Sequence, residues 1–426
     1  MLPSTLTTLV FSLLNFFAED DTSSSQLSSN HLRFELRHLH ASSPAARIVF
    51  SDVHRHSRYK SFDVYGNHSK ALEDLRATYT AKTRRAQTHR PRSFMLHDAA
   101  RLQSMRHAQT PQGLWLQEDT VVPDVEDRET LLTLAKITNN AYYANPDDAG
   151  WYDLGEKWNN NTYPVGWEPD ADGFRGHVFA TPDNSTIVLS IKGTSAPYFG
   201  GGGPTIRKDK QNDNLLFSCC CARVGVTWST VCGCYRGKQR CDQDCVEDAL
   251  TEDSLFYPVG TNLYNNLTYM YPNSNIWVVG HSLGGGLASL IGATFGAPVV
   301  AFEAPGERMA AQRLHLPTPP STQHITHVYN NADPIPMGAC TGVLSVCSAG
   351  GYALESRCHL GKTILYDTVS NASWSVGISA HQIERIIKLL EDPWQPSVEL
   401  GREVPQAMPE DDCVDCYSWE FGSFPE

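Results

Sequence analysis

The chain has 426 residues, of which 41% are hydrophobic and 10% aromatic, so it can bury a sizeable core. Its formal net charge of −13 argues against a nucleic-acid partner, which would require a basic face. The acidity concerns solubility and says little about the fold.

The N-terminal residues 2–18 are apolar or small and carry no charge. This run is slightly shorter than the ~20 residues that span a bilayer comfortably. A cleaved signal peptide is an open alternative, although no basic region precedes the run and no A-x-A cleavage site follows it. Because Glu19 to Asp21 are acidic, nothing holds the following chain in the cytosol. We therefore predict a signal anchor over residues 1–18 and a lumenal location for the rest.

Residues 19–112 are predicted to form a lumenal linker and a basic arm. A Ser-rich stretch leads into a polar segment, 31–112, that is rich in His and Arg. The segment has no tight pair of metal ligands such as H-E-x-x-H, and we expect no metal ion or other cofactor. It reads as a solvated arm packed loosely on the main domain, with contact to anionic lipid as the alternative.

The main domain is predicted over residues 113–392, with an acidic, Pro-rich tail containing C-x-x-C over 393–426. Apolar periodicity predicts helices and strands that alternate through its second half. This alternation indicates a mostly parallel sheet covered by helices, an α/β fold. The predicted helices are 127–143, 246–271, 283–295 and 378–390, and the predicted strands are 167–180, 185–191, 276–279, 299–302, 325–329 and 363–366.

The chain has twelve cysteines, seven of them between Cys219 and Cys245 in a predicted insertion, 205–248. Such spacings can bind zinc or form disulfides. Five N-x-S/T sites and the apolar N-terminus favour disulfides in a lumenal or secreted glycoprotein, without giving the pairing. The predicted glycosylation sites are Asn67, Asn160, Asn184, Asn266 and Asn371.

Ser282 is the candidate nucleophile. It is the serine of G-H-S-L-G, which follows the predicted strand 276–279 and precedes the predicted helix. A strand-to-helix turn of this kind needs glycines on both sides and presents the serine at the edge of the sheet. The alternative is a tight packing turn. The additional Gly285 and Gly286 predict that the helix begins unusually close to the sheet.

A serine nucleophile needs a base and an orienting acid, which in α/β-hydrolases follow it in the order acid, then histidine. Asp333 follows a predicted strand and is the favoured acid, with Glu303 as a supporting candidate and Asp367 as a further one. His381 follows the last strand and is the favoured base, with His359 as the alternative.

Two groups are candidates for the oxyanion hole. The backbone N–H of Leu283 follows the nucleophile at the helix N-terminus. Thr194, in S-I-K-G-T, ends an earlier strand, and Gly193 before it permits close backbone approach. A plain turn is the alternative at Thr194.

Several of these motifs together resemble a known family. SIKGTSAP, the insertion CCCARV with CGCY, WVVGHSLGGGLASLIG, AFEAPGERMAAQRLHLP, NNADPIPMG and CHLGKTILYDT are similar to the autophagic-body lipases of fungal vacuoles, in the lipase class 3 group of α/β-hydrolases. The resemblance covers roughly residues 114–390. It implies that Ser282, Asp333 and His381 form the catalytic triad.

The resemblance also implies a substrate and a location. The family's members are single-pass type II membrane glycoproteins that reach the vacuole lumen through multivesicular bodies. They hydrolyse phospholipids and neutral lipids and break up autophagic and multivesicular-body membranes. The basic flank that precedes the family's anchor is missing here. The oligomeric state is left open.

Apolar residues beside the site, such as Ile335 and Ile378, favour a lipid substrate. The cysteine-rich insertion is either a lid or interface surface or a disulfide-stapled decoration. A secreted esterase for soluble or polysaccharide esters is the alternative enzyme. A membrane-adhesion glycoprotein on an inactive hydrolase scaffold is the alternative that is not an enzyme.

Overall fold

The computed structural model describes residues 31–42, 48–52, 79–107, 113–143, 148–152, 173–181, 183–195, 205–225, 228–251 and 255–424. The predicted signal anchor, Asn67 and Asn160 lie outside these ranges. Within them, no helix combines the length and apolarity needed to cross a membrane.

The described residues form strands and helices in alternation. The strands are β1 (His31–Ser42), β2 (Ile48–Asp52), β3 (Tyr79–Pro91), β4 (Trp115–Pro123), β5 (Arg175–Ala180), β6 (Thr186–Ile191), β7 (Arg240–Asp242), β8 (Asn275–His281), β9 (Val299–Phe302), β10 (Ile325–Asn330), β11 (Lys362–Tyr366), β12 (Met408–Pro409) and β13 (Glu420–Gly422). The helices are α1 (Phe94–His107), α2 (Arg128–Asn140), α3 (Ile206–Phe217), α4 (Gln243–Ala249), α5 (Phe256–Met270), α6 (Leu283–Phe295), α7 (Arg308–Arg313), α8 (Val346–Gly350), α9 (Thr368–Ala372), α10 (Ile383–Glu391) and α11 (Gln395–Val398).

Eleven of the described strands form one sheet in the order β12-β11-β10-β9-β8-β6-β5-β1-β3-β4, with β2 paired to β1. The five strands β6, β8, β9, β10 and β11 run parallel, and the flanking strands are antiparallel. The predicted α/β-hydrolase fold with a mostly parallel central sheet is confirmed. Because parallel strands share one carboxyl edge, the loops after β6, β8, β10 and β11 meet there.

The central strands are buried on both faces, which explains why they read as continuous apolar runs. Every residue of β6 is buried. Ile187 and Leu189 pack against α3, α5 and α6, whereas Val188 packs on the opposite face with Trp277 of β8 and with α2. The sheet therefore separates two hydrophobic cores, and both cores support its carboxyl edge.

The described residues 31–42, 48–52 and 79–107 differ from the predicted loosely packed arm. Strand β1 pairs with β5, and β3 pairs with both β1 and β4, so this segment extends the main sheet. The predicted boundary near residue 113 is therefore not a structural boundary. The prediction was wrong because β3 is polar and was not recognised as a strand. This part of the sheet is partly solvated, and a solvated face of a sheet tolerates polar residues.

Two predicted helices also differ in detail. The predicted helix 246–271 is divided into α4 and α5, and the predicted helix 378–390 begins with a separate 3-10 turn, Ile378–His381, before α10.

All twelve cysteines are paired, which confirms disulfides over zinc. Three disulfides lie within the insertion, and two others, Cys219–Cys416 and Cys358–Cys413, fasten the C-terminal tail to the domain. The tail also adds β12 beside β11 and β13 beside β7. Because the 197-residue separation of Cys219 and Cys416 closes a long loop, this bridge strongly restricts the unfolded chain. The remaining pairs are Cys220–Cys241, Cys221–Cys232, Cys234–Cys245 and Cys340–Cys347.

Candidate active site

Ser282 occupies a strained turn between β8 and α6, with φ 58° and ψ −131°. The two glycines of the motif permit this turn. A Cβ atom on Gly280 would lie 2.2 Å from the carbonyl oxygen of Gly284, and one on Gly284 would lie 2.3 Å from that of Ile191. Since both clashes are with backbone, only glycine fits at either position.

The packing predicted for the next two glycines is confirmed for one of them. A Cβ on Gly285 would lie 2.8 Å from the Cβ of Ala304 and 3.3 Å from that of Ala301 in β9. A Cβ on Gly286 would instead lie 2.6 Å from the ring of Phe217 in α3. Gly285 therefore brings α6 close to the sheet, whereas Gly286 makes room for a neighbouring helix.

Ser282, His381 and Asp333 lie in one hydrogen-bonded line. The Nε2 atom of His381 is 2.8 Å from Ser282 Oγ, and its Nδ1 atom is 2.6 Å from Asp333 Oδ2. All three residues are buried. The other carboxylate oxygen of Asp333 accepts the backbone N–H of Ile335 at 2.9 Å, so the Asx turn considered as the alternative coexists with the contact to histidine. Such an arrangement can activate a hydroxyl as a nucleophile.

Glu303 lies beside this line, after β9. It is fully buried, hydrogen-bonds to Asp333, and accepts the side-chain amide of Asn330 at 2.7 Å. Burial first, and then the neighbouring Asp333, raise the pKa of Glu303 well above its ordinary range. This shift favours the protonated carboxyl, whose O–H can donate a hydrogen bond to Asp333.

His281 supports His381 from the position before the serine. Its Nδ1 accepts the Tyr142 hydroxyl at 2.6 Å, and its Nε2–H donates to the backbone oxygen of His381 at 2.7 Å. Burial, and next the charge on His381, lower the pKa of His281 well below its ordinary value. The imidazole is therefore neutral, which suits one acceptor and one donor nitrogen. Neither His281 nor Tyr142 was predicted from the sequence.

The two predicted oxyanion donors lie beside Ser282. Leu283 begins α6, and Thr194 follows β6 and lines the same cavity as the serine. The Thr194 hydroxyl donates to Asp213 Oδ2 at 2.6 Å, which leaves its backbone N–H as the candidate donor. Gly193 is required there, because a Cβ atom would lie 2.4 Å from the carbonyl oxygen of His281.

A buried charged cluster, which the sequence analysis also missed, supports the Thr194 loop. Lys192 lies 3.9 Å from Asp209 and donates to the Gly193 carbonyl at 2.8 Å, and burial lowers the pKa of this lysine to about 8. Asp209 accepts the backbone N–H of Ser195 at 2.7 Å. Burial raises the pKa of Asp213 well above its ordinary range. In the sequence, only the position of Lys192 at the end of an apolar strand could have indicated this cluster.

His359, the alternative base, lies away from Ser282. Its Nδ1 contacts Glu410 of the tail at 3.1 Å, and its Nε2 contacts the carbonyl oxygen of Ala304 at 3.0 Å. Asp367 caps α9 by accepting the backbone N–H of Ser370 at 3.1 Å. Both residues therefore have structural partners.

The cavity beside Ser282 has apolar walls, among them Ile335, Val346, Leu354 and Ile378. Its free space is about 20 Å³, roughly what one water molecule needs. An acyl chain therefore requires one wall to move, and α8 forms part of that wall through Val346, Cys347 and Gly350.

The three predicted glycosylation sites within the described residues, Asn184, Asn266 and Asn371, are all exposed.

Comparison with known proteins agrees with this fold. The sequence profile of the lipase (class 3) family matches residues 248–341, which include Ser282 and Asp333. A Cryptococcus neoformans protein described as "Putative lipase ATG15" is 49% identical over 373 residues, which are 74% of this chain and 71% of that protein. A Mycosarcoma maydis protein of the same description is 53% identical over 67% of this chain and 56% of that protein.

Among solved structures, the Lip2 lipase of Yarrowia lipolytica is 17% identical and matches 57% of this chain and 80% of its own, with a TM-score of 0.31. That similarity is too low to transfer residue roles. The identity and coverage of the fungal relatives, together with the family profile, show that this chain is a lipase belonging to the ATG15 family of class 3 lipases.

Proposed function

We propose that this lipase hydrolyses carboxylic esters of membrane lipids, both phospholipids and neutral glycerides, with Ser282 as nucleophile, His381 as base and Asp333 as orienting acid. The observation that carries the proposal is the unbroken line of hydrogen bonds, 2.6 Å and 2.8 Å, that ends at the wall of an apolar cavity. Apolar walls suit an acyl chain.

In the first half of the reaction, Ser282 Oγ attacks the ester carbonyl carbon while His381 Nε2 takes its proton. Negative charge develops on the carbonyl oxygen, which the backbone N–H groups of Leu283 and Thr194 stabilise. The tetrahedral intermediate then expels the alcohol, which receives the proton from His381. The product is an acyl group on Ser282.

Water completes the reaction. His381 takes a proton from a water molecule as its oxygen adds to the acyl carbon. Collapse of the second intermediate breaks the bond to Ser282, which regains the proton, and the fatty acid leaves. Throughout, Asp333 holds the Nδ1–H of His381 and stabilises the imidazolium that forms in each half.

For the location, we propose a type II membrane glycoprotein that is delivered through multivesicular bodies to the vacuole lumen, where it opens autophagic and multivesicular-body membranes. Six disulfides suit an oxidising compartment, and three exposed acceptor asparagines suit glycosylation. The relatives carry an autophagy-related name, which supports the destination.

The decisive experiment compares the wild-type chain with Ser282→Ala on phospholipid vesicles and on triacylglycerol emulsions. Both proteins should accumulate to the same level, and only the wild type should release fatty acid and react with a serine-directed phosphonate. Undiminished hydrolysis by the variant would exclude the mechanism. Hydrolysis of short soluble esters with no gain on vesicles would instead identify a soluble esterase.

The location is tested separately in fungal cells. An anchored chain should stay with membranes after carbonate extraction before its delivery to the vacuole, and its lumenal part should resist added protease in sealed vesicles. Glycosidase treatment should increase its electrophoretic mobility. Asn→Gln changes at Asn184, Asn266 and Asn371 should each reduce that shift, and an unchanged pattern would rule out glycosylation there.

A further inference from the structure

A second cleft adjoins the Ser282 cavity. It is open to solvent and has a volume of about 690 Å³. Helix α8 separates the two spaces: Val346 and Cys347 line the cavity, Ser348 lines the cleft, and Gly350 lines both. A movement of α8 that admits an acyl chain would therefore join the cleft to the catalytic cavity.

One face of α3 makes the cleft cationic. Arg207, Lys210 and Asn214 follow one another at spacings of three and four residues, and all three line the cleft. The buried carboxylates of the same helix, Asp209 and Asp213, lie on its other side against the Thr194 loop. Among the described residues, no carboxylate lines the cleft, although the whole chain has a net charge of −13.

Both cations are available to a ligand. Arg207 is exposed and Lys210 is half-buried, and neither forms an ion pair within the described residues. Trp228 and residues 229–231 also line the cleft. The cleft thus offers two positive charges that no carboxylate neutralises within the described residues.

Lys210 lines the cleft and contacts a residue of the cavity beside Ser282. Its ammonium nitrogen lies 5.3 Å from the centre of the Tyr352 ring, and that ring lines the cavity beside Ser282. Asn214 fixes the segment between the two spaces, because its amide donates to the Gly351 carbonyl at 2.8 Å and accepts the Ala353 N–H at 2.9 Å. These two bonds join α3 to residues 351–353, which follow α8 between the cleft and the cavity.

We propose that this cleft binds the phosphate of a glycerophospholipid headgroup while one of its acyl esters lies at Ser282. The inference rests on the proposed function. In a glycerophospholipid the phosphate and the esters are attached to the same three-carbon glycerol unit, so a phosphate subsite must adjoin the nucleophile. Arginine and lysine bind phosphate through charge-assisted hydrogen bonds. A neutral glyceride has no phosphate and gains nothing from these residues.

The test uses the full chain and two water-soluble substrates with the same acyl groups, dihexanoyl phosphatidylcholine and dihexanoylglycerol, both below their aggregation thresholds. The double variant Arg207→Gln/Lys210→Gln is compared with a matched control, Lys238→Gln/Arg402→Gln, which removes two exposed cations outside the cleft. The value of kcat/KM should fall about 10- to 100-fold for phosphatidylcholine in the cleft variant. It should stay within about twofold for dihexanoylglycerol and for both substrates in the control.

Three other outcomes would contradict the proposal that the cleft binds the headgroup phosphate. An equal loss on both substrates would mean that these cations support the fold or α8, and no loss on either would mean that they bind no headgroup. A loss seen only on anionic vesicles would mean that they attract the enzyme to charged surfaces. Inorganic phosphate should compete with phosphatidylcholine in the wild type and not in the cleft variant. Phosphate binding without any change in phosphatidylcholine kinetics would identify a free-phosphate site instead.

The proposed function fails on different grounds. If wild-type protein hydrolyses neither substrate, the lipase mechanism is at fault. If it hydrolyses both and the cleft variant keeps the same preference, only the headgroup site is wrong.

Discussion

The Nε2–H of His281 donates to the backbone carbonyl oxygen of His381 across 2.7 Å, so the residue before the proposed nucleophile holds the backbone of the proposed base. The two rings are 4.7 Å apart between their centres, and His281 is held in turn by Tyr142. His281 reaches no substrate atom in the proposed mechanism. It acts as a positioning residue for His381.

Replacing His281 by Phe should therefore lower kcat by about 10- to 100-fold, because a small displacement of a catalytic group is costly. The KM for a soluble ester should change little. Tyr142→Phe should cause a smaller loss, since the bond from His281 to His381 survives.

The pH profile distinguishes this role from a catalytic one. His281 stays neutral because its pKa is far below 6.5. The ratio of wild-type to variant kcat should then be constant between pH 5 and pH 8. A ratio that changes with the titration of one group would show that His281 transfers protons.

Glu303 should tolerate an amide better than an apolar side chain. Because its pKa is raised well above the ordinary range, it acts as a neutral donor to Asp333. Glu303→Gln keeps a donor and should retain kcat within about tenfold, whereas Glu303→Leu leaves Asp333 and Asn330 with an unmet hydrogen bond and should lose far more. Steady-state kinetics with circular dichroism as a folding control checks this. Equal losses in both variants would mean that Glu303 is needed as an anion.

Gly284→Ala should prevent stable folding, since the new methyl group would meet the backbone of Ile191 at 2.3 Å. We expect a loss of several kcal/mol in the free energy of unfolding, about 3 or more, from overpacking against backbone. Gly233→Ala is the matched control, because a Cβ there meets nothing within 4 Å. Thermal denaturation compares the two. Equal melting temperatures would mean that the turn around Ser282 can shift to accommodate the new methyl group.

His324 makes stability depend on pH. Burial lowers its pKa to about 4, and its Nε2–H donates to the carbonyl of Gly292 at 3.1 Å. Between pH 6.5 and pH 4 the unfolded chain binds a proton at this position that the folded chain does not. This histidine therefore destabilises the fold progressively as the pH falls through that window.

The variant His324→Gln removes this contribution. Its free energy of unfolding should decrease less steeply on acidification, by about 1.4 kcal/mol per pH unit within the window. Denaturant titrations at pH 4.5, 5.5, 6.5 and 7.5 measure the slope. An unchanged slope would show that His324 is protonated in the folded chain as it is in the unfolded one.

Local sequence was sufficient for the central elements. Strands β6, β8, β9 and β10 are buried on both faces. Such strands are apolar along their whole length, so the sequence alone predicts them. The elbow around Ser282 was equally clear, because its glycines are dictated by contacts within a few residues and with one neighbouring strand. The order of Asp333 and His381 along the chain then followed from the topology of the fold.

The outer strands were not predicted, because their partners are distant. Strand β1 lies inside the sheet between β5 and β3, and β5 comes more than 130 residues later along the chain. The pairing of Cys219 with Cys416 was not predicted for the same reason, because the two residues are far apart in sequence. Spacing along the chain cannot indicate which cysteines approach one another.

By itself, the sequence was enough to predict the lipase family and to propose the reaction type. The candidate serine turn and the candidate acid and histidine that follow it are local features at the ends of strands that the sequence reveals. Only the tertiary structure decided what surrounds them. Glu303 lies beside Asp333, His281 is hydrogen-bonded to His381, and the cations of α3 lie across α8 from the serine. Each of these contacts joins segments that are far apart in sequence. Burial and distance set the charge of such groups, and both exist only once the chain has folded.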